Sequence, residues 1–214
     1  MSAPNPIDPV YIDGMPFIAR ILTGEATSGE RSEWDDLFDH FGAGSDLLHF
    51  DKLASWCSGD ASSHDFAESQ VPKLLRGYLS SQHKEYLPPN RSEDYIGYCP
   101  VLCPLEPDVL FPGFTSFSSI PDGTILSFGT LFMNDNAVKI PLKPLNSGGN
   151  CADWIEGTTK YKPGATLQLG DTARLVRKRI RFIKFGNILV SDRNILRGVS
   201  WSDLAENGLI PCKE

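Results

Sequence analysis

The sequence predicts an α+β protein in two modules: a mixed α+β module over residues 1–108, then a small all-β barrel or sandwich over residues 109–214. Three observations point there. Charge changes sign along the chain, with 18 Asp and Glu against 7 Lys and Arg in residues 1–108, and 9 against 13 in residues 109–214, giving the net −7. Prolines at 100, 104, 107 and 112 break the chain where that change falls, because proline lacks the N–H that ladders and helix interiors need. Before the break an apolar stripe recurs at helical spacing; after it come short apolar runs divided by Gly, Asn and Asp.

Composition sets the outer bounds. With 214 residues, 41% hydrophobic and 22% charged, the chain has the makeup of a globular protein able to bury a core. The N-terminal MSAPNPIDPV has neither a positive nor an apolar stretch, and eighteen apolar residues never occur in succession. Neither a signal peptide nor a membrane span is therefore expected, and synthesis is expected in the cytoplasm. Five cysteines, an odd number, point to reduced thiols rather than a complete disulfide framework.

In the first module, MPFIARILTG (15–24) is short and apolar enough for a strand closed by Gly24. SEWDDLFDHFG reads as a helix, with Ser32 as N-cap, acids in the first turn, Gly42 as terminator, and Trp34, Leu37, Phe38 and Phe41 on one face. The next run, DLLHFDKLASWCSGD, predicts a short helix or irregular segment ending near Gly59. An exposed loop at 61–70 should follow. KLLRGYLSS and YIGYCPVL supply two further strands, and the boundary falls near Asp108.

In the second module, DGTILSFGTLFMNDNAVKIPL predicts a β-meander, with an irregularity at Gly129 and a turn at Asn134-Asp135-Asn136. ATLQLGD, RIRFIKFGNILVSDR and ILRGVSW add short strands. One helical turn is expected at SWSDLAENGL, capped by Ser202.

The pair Cys99 and Cys103, in IGYCPVLCPL, invites a redox or metal reading. The flanking prolines impose an extended backbone, which at about 3.3 Å per residue puts the two roughly 13 Å apart, whereas a disulfide needs Cα atoms about 4.4–6.8 Å apart. No second close Cys or His pair completes a tetrahedral zinc site. Buried thiols are the expectation, with Cys57 to Cys99 or Cys103 the one bridge left to consider. His40, His49, His64 and His83 lack the i, i+4 spacing of a helical metal site. No cofactor or metal is expected.

The run RLVRKRIRFIK has the most unusual local composition. As a strand, it would place Arg177, Arg179 and Arg181 on one face with Leu175 and Ile183, and Lys178 and Lys184 on the other with Val176, Ile180 and Phe182. No aromatic platform interleaves the arginines, so an acidic protein partner or a charged protective edge fits better than nucleic acid. The charge asymmetry also lets acidic and basic halves of adjacent copies attract one another. The chain holds no P-loop, dinucleotide-binding glycine motif, serine-nucleophile elbow or zinc-protease motif, which removes the common enzyme classes.

Over residues 10–105 the motifs DGMPFIARILTG, SEWDDL, Ser55-Trp56-Cys57, Arg76-Gly77-Tyr78 and YIGYCPVL, in that order, resemble a recurrent phage and prophage protein family. The ending ILVSDRNILRGVSWSDL is similar to the close of such proteins. The order also resembles the C-type-lectin-like fold shared by phage receptor-binding proteins and formylglycine-generating enzymes. The resemblance implies a non-enzymatic virion structural protein of the head, neck, tail or fibre. Its expected partners are other virion proteins and copies of itself, and its expected location is the virion after synthesis in the host cytoplasm. An alternative is an adhesin that contacts a host glycan or protein through the Ser80–Asp94 loop, with His83, Tyr86 and Asn90. A formylglycine-generating enzyme is a third reading. It is disfavoured because Arg76-Gly77 has no neighbouring cysteine and Cys99 and Cys103 do not match that family's arrangement. Calcium-lectin motifs are missing as well.

Overall fold

The structure is a computed structural model and describes residues 8–23, 32–41, 47–48, 54–58, 73–76, 86–87, 96–108, 110–140 and 158–210. Among these the protein is mostly β, with three sheets and few helices.

The largest sheet is antiparallel, with six strands in the order β1 (Val10–Ile12), β2 (Met15–Arg20), β7 (Val101–Pro104), β13 (Ile188–Ser191), β12 (Arg181–Phe185) and β8 (Ile125–Ser127). A tight Asp13-Gly14 turn, with φ of 50° and 80°, joins the first two strands; both residues take the left-handed backbone that such hairpins require. Side chains alternate across this sheet. Val101, Val190 and Ile183 are register neighbours on one face, where they pack under helix α1 (Glu33–Phe41) with Trp34, Leu37 and Phe38. Leu102, Leu189 and Phe182, one residue along each strand, belong to the main core with Phe17 and Ala19. Both faces are thus covered, and burying each such side chain contributes roughly 1.5–3 kcal/mol. The α1 stripe and its Ser32 cap are as expected from sequence, the Asp35 amide donating to Ser32 Oγ at 3.1 Å.

A second sheet of five strands runs β14 (Leu196–Arg197), β6 (Ile96–Tyr98), β3 (Ala54–Ser58), β4 (Lys73–Arg76) and β5 (Tyr86–Leu87), with the β3–β6 pair parallel. A third holds β10 (Asn136–Ala137), β9 (Thr130–Met133) and β11 (Leu167–Gly170). Helix α2 (Trp201–Glu206) follows β14 and presses Trp201 edge-on against Trp56, ring centroids 5.8 Å apart.

Several sequence expectations need correction. The SWC segment is strand β3, not a short helix: it lies inside its sheet with Ser55, Trp56 and Cys57 all buried. YIGYCPVL is two strands in two sheets, β6 and β7, parted at Cys99-Pro100. The expected meander is interrupted at Gly129, where φ is 70°. There the chain leaves the first sheet (β8) for the third (β9), and only β9–β10 pairs as a hairpin. The cap of α2 is Ser200 rather than Ser202, in a reciprocal capping box with Asp203.

The division at residue 108 does not separate two sheets. Strand β7 pairs with β2 on one side and β13 on the other, and β14 pairs with β6, so both the six- and five-stranded sheets draw on the chain before and after the prolines. The sheets are set by apolar pairing, which the charge asymmetry does not report. No helix among the described residues is long and apolar enough to cross a membrane.

Candidate functional site

Three features of the molecule bring polar, charged or concave surfaces together: the basic run, a polar cluster in the core, and a small cleft. The basic run departs most from its expected form. Residues Val176–Lys178 make a 3-10 turn rather than a strand: the Lys178 amide donates to the Leu175 carbonyl at 2.9 Å, and the Arg179 amide to the Val176 carbonyl at 3.0 Å. The strand begins only at Arg181. Arg177, Arg179 and Arg181 therefore do not share a face. Arg177 is exposed at the turn. Arg179 folds back, its Nε donating to the Ala173 carbonyl at 2.6 Å and its Nη2 to the Arg174 carbonyl at 3.1 Å. Arg181 turns inward, Nε lying 3.2 Å from the buried Asp192 carboxylate. The turn wins over the strand because Ile180 is drawn into the core. Its amide donates to the Gly129 carbonyl and its carbonyl accepts from the Phe128 amide, both at 3.0 Å.

The turn is held at both ends. On one side Asp13 accepts from the Thr172 amide at 2.9 Å and from its hydroxyl at 2.6 Å. On the other, the Ile140 amide donates to the Arg177 carbonyl at 2.8 Å. The result is a fixed cationic surface of Arg174, Arg177 and Lys178 around two apolar side chains, Leu175 at 51% and Val176 at 52% exposure. These three cations make no ion pair among the described residues.

The polar cluster was not anticipated. Ser191, Asp192, Arg193 and Asn194 link β13 to β14, and all four are buried. Arg193 donates to Asp192 through Nε at 2.5 Å and Nη2 at 2.6 Å. Ser55 Oγ donates to Asn194 Oδ1 at 2.8 Å, and Ser191 Oγ to the Arg193 carbonyl at 2.7 Å. Cys99 donates through Sγ to the Ser191 carbonyl at 3.4 Å. Burial pushes the Cys99 thiol well above its ordinary range, and nearby Cys57 and Asp192 push the same way, so it is a poor nucleophile. Cys57, Cys99 and Cys103 all carry reduced thiols rather than a disulfide. The cluster locks the six-stranded sheet to the five-stranded one, and its four residues are 0–1% exposed. In sequence its only trace is the run SDRN between ILV and IL, which a solvent loop would show equally.

The cleft holds about 80 Å³ between Met15, Pro16, Pro104, Phe111 and Phe117, with Glu106 at its edge. Small-molecule sites begin at roughly 300 Å³; this one accommodates at most one apolar side chain. Among the described residues, no three His, Cys, Asp or Glu side chains converge to hold a metal.

No protein-family model, curated protein or solved structure matches this chain.

Tyr86 lies in strand β5, while His83 and Asn90 lie outside the described residues, as do Cys151 and Cys212. Of the three features, the cationic turn is the one with exposed charged and apolar groups side by side. Arginines provide directed hydrogen bonds to carboxylates, and the Leu-Val pair provides apolar area that leaves water on docking.

Proposed function

We propose that the protein is a non-enzymatic structural component of a virion, in the head, neck, tail or fibre, acting through contacts with other virion proteins, with a C-type-lectin-like first module. The observation that supports this best is the fixed cationic turn at 174–178, with Leu175 and Val176 half exposed between arginines. Charged groups steer and orient an encounter, and desolvated apolar side chains at its centre hold it. The ionic cluster of Asp192 and Arg193 is enclosed in the core and serves the fold. The motif order across residues 10–105 and the SDRN-containing ending support the virion assignment by resemblance.

The experiment is mass spectrometry of purified particles from a strain that carries the gene, together with pull-downs from the particle lysate. Expected is the full-length chain in particles at a fixed ratio to a major virion protein, lost when the gene is deleted. Particles that lack the chain and assemble normally without it would overturn the reading.

A further inference from the structure

We infer that the 174–178 turn docks onto the acidic first half of a second copy of this chain. The inference rests on the contact-surface reading above and names the partner. From Thr172 to Phe185 the sequence contains six cations and no acid. The fold consumes three of them. Arg179 is bound to carbonyls, Arg181 faces Asp192, and Lys184 is buried over the Phe117 ring near Asp122. Arg174 and Arg177 are left exposed, and Lys178 half-buried, around Leu175 and Val176. Because backbone bonds already fix the turn, little conformational freedom is lost when it docks.

Charge complementarity selects the occupant. Residues 1–108 carry 18 acids against 7 cations. On α1, Glu33 is taken by Arg20 and Asp35 by Ser32, while Asp36 is half-buried and Asp39 exposed. Every copy therefore offers a basic turn and an acidic half. The two surfaces differ, so the contact either pairs reciprocally about a two-fold axis or repeats head to tail into a ring or filament. Exposed charges are screened over about 10 Å at 0.1 M salt, so association should weaken as salt rises.

The test uses the full-length protein in sedimentation velocity over a concentration series at low and high salt. Wild type is expected to self-associate at low salt and dissociate at high salt. Arg174→Glu with Arg177→Glu should weaken association by about tenfold or more, and Leu175→Ser with Val176→Ser should weaken it without changing its salt dependence. Circular dichroism melting checks that both variants fold. A wild-type monomer at every concentration overturns the inference, as does a charge-reversed variant that folds and assembles normally. So does binding of the turn to anionic phosphatidylserine vesicles with no self-association. A chain found in particles but monomeric in solution would sink this inference and leave the virion reading standing. A chain absent from particles but assembling through the turn would do the reverse.

Discussion

The guanidinium of Arg193 donates two hydrogen bonds to the carboxylate of its own neighbour, Asp192, at 2.5 and 2.6 Å, and neither side chain has any exposed surface. Adjacent residues ordinarily point apart in a strand. Here the chain leaves β13 and turns into β14, so both side chains meet in the seam between two sheets. Arg181, reaching in from β12, gives Asp192 a second cationic neighbour at 3.2 Å.

Arg193→Met should cost about 3–5 kcal/mol, because it leaves a buried carboxylate with its main partner removed. Urea unfolding with an unchanged slope would read this as a lower midpoint. Asp192→Leu combined with Arg193→Met should cost less than Arg193→Met alone, since the uncompensated charge goes too. Equal losses in the single and double variants would mean that the pair acts by shape rather than by charge.

Gly97→Ala should destabilise by about 1–3 kcal/mol through overpacking. A Cβ at Gly97 would lie 2.5 Å from Asn194 Cγ and 2.6 Å from its Cβ, and the Asn194 side chain is held by Ser55. Adding Asn194→Gly to Gly97→Ala removes both clashing atoms and should recover part of that loss in a thermal melt. A melt unchanged by Gly97→Ala would contradict the close approach of β6 to the polar seam.

Glu33 joins α1 to β2 through two 2.6 Å bonds accepted from Arg20. Burial pushes the Glu33 carboxyl up, but the hydrogen bonds and charge of Arg20, with help from Thr23, outweigh it and hold the group below its ordinary 4.5. A depressed folded-state value means that the stabilisation is complete above about pH 4.5 and fades as pH falls through the lower folded value. Glu33→Gln should therefore lower stability at neutral pH by about 1–3 kcal/mol. It should also flatten the stability profile below pH 4.5, measured as melting temperature against pH. A variant with the wild-type acid profile would remove Glu33 from the linkage.

Thiol labelling should separate the cysteines. Cys57 and Cys99 are 0% and 2% exposed, and the raised Cys99 thiol stays protonated at neutral pH. Peptide mapping after alkylation should find both unmodified in the native protein and labelled only after denaturation. Cys103, half buried and accepting from Arg20 Nε at 3.0 Å, should label faster than either. Labelling of Cys99 before Cys103 would contradict this packing.

Local signals in the sequence were enough for α1, whose cap and apolar stripe lie within ten residues, and for β2, β9, β11, β12 and β13, which are short apolar runs bounded by turn residues. They also pointed to buried, unbridged cysteines. The Asp13-Gly14 hairpin is equally local, since two adjacent residues in the left-handed region make its turn. The basic run was legible as a charged segment, but its exposed residues were not: of the three arginines only Arg177 is exposed at the turn, joined by Arg174, Leu175 and Val176, with Lys178 half-buried.

What the sequence determined by itself, then, was which apolar runs face the core and where several of the turns fall, because hydrophobic period, capping and glycine or proline geometry act over a few residues. Only the tertiary structure decided which strands pair. It placed β7 between β2 and β13, split IGYCPVLCPL between two sheets, and brought Asp192 and Arg193 into the seam. Those outcomes depend on contacts between residues far apart in the chain, and a strand's own sequence does not specify its neighbours. The cationic turn belongs to both levels: its charge is written in the run itself, while its outward face exists because distant Asp192 takes Arg181 inward and Gly129 holds Ile180 in the core.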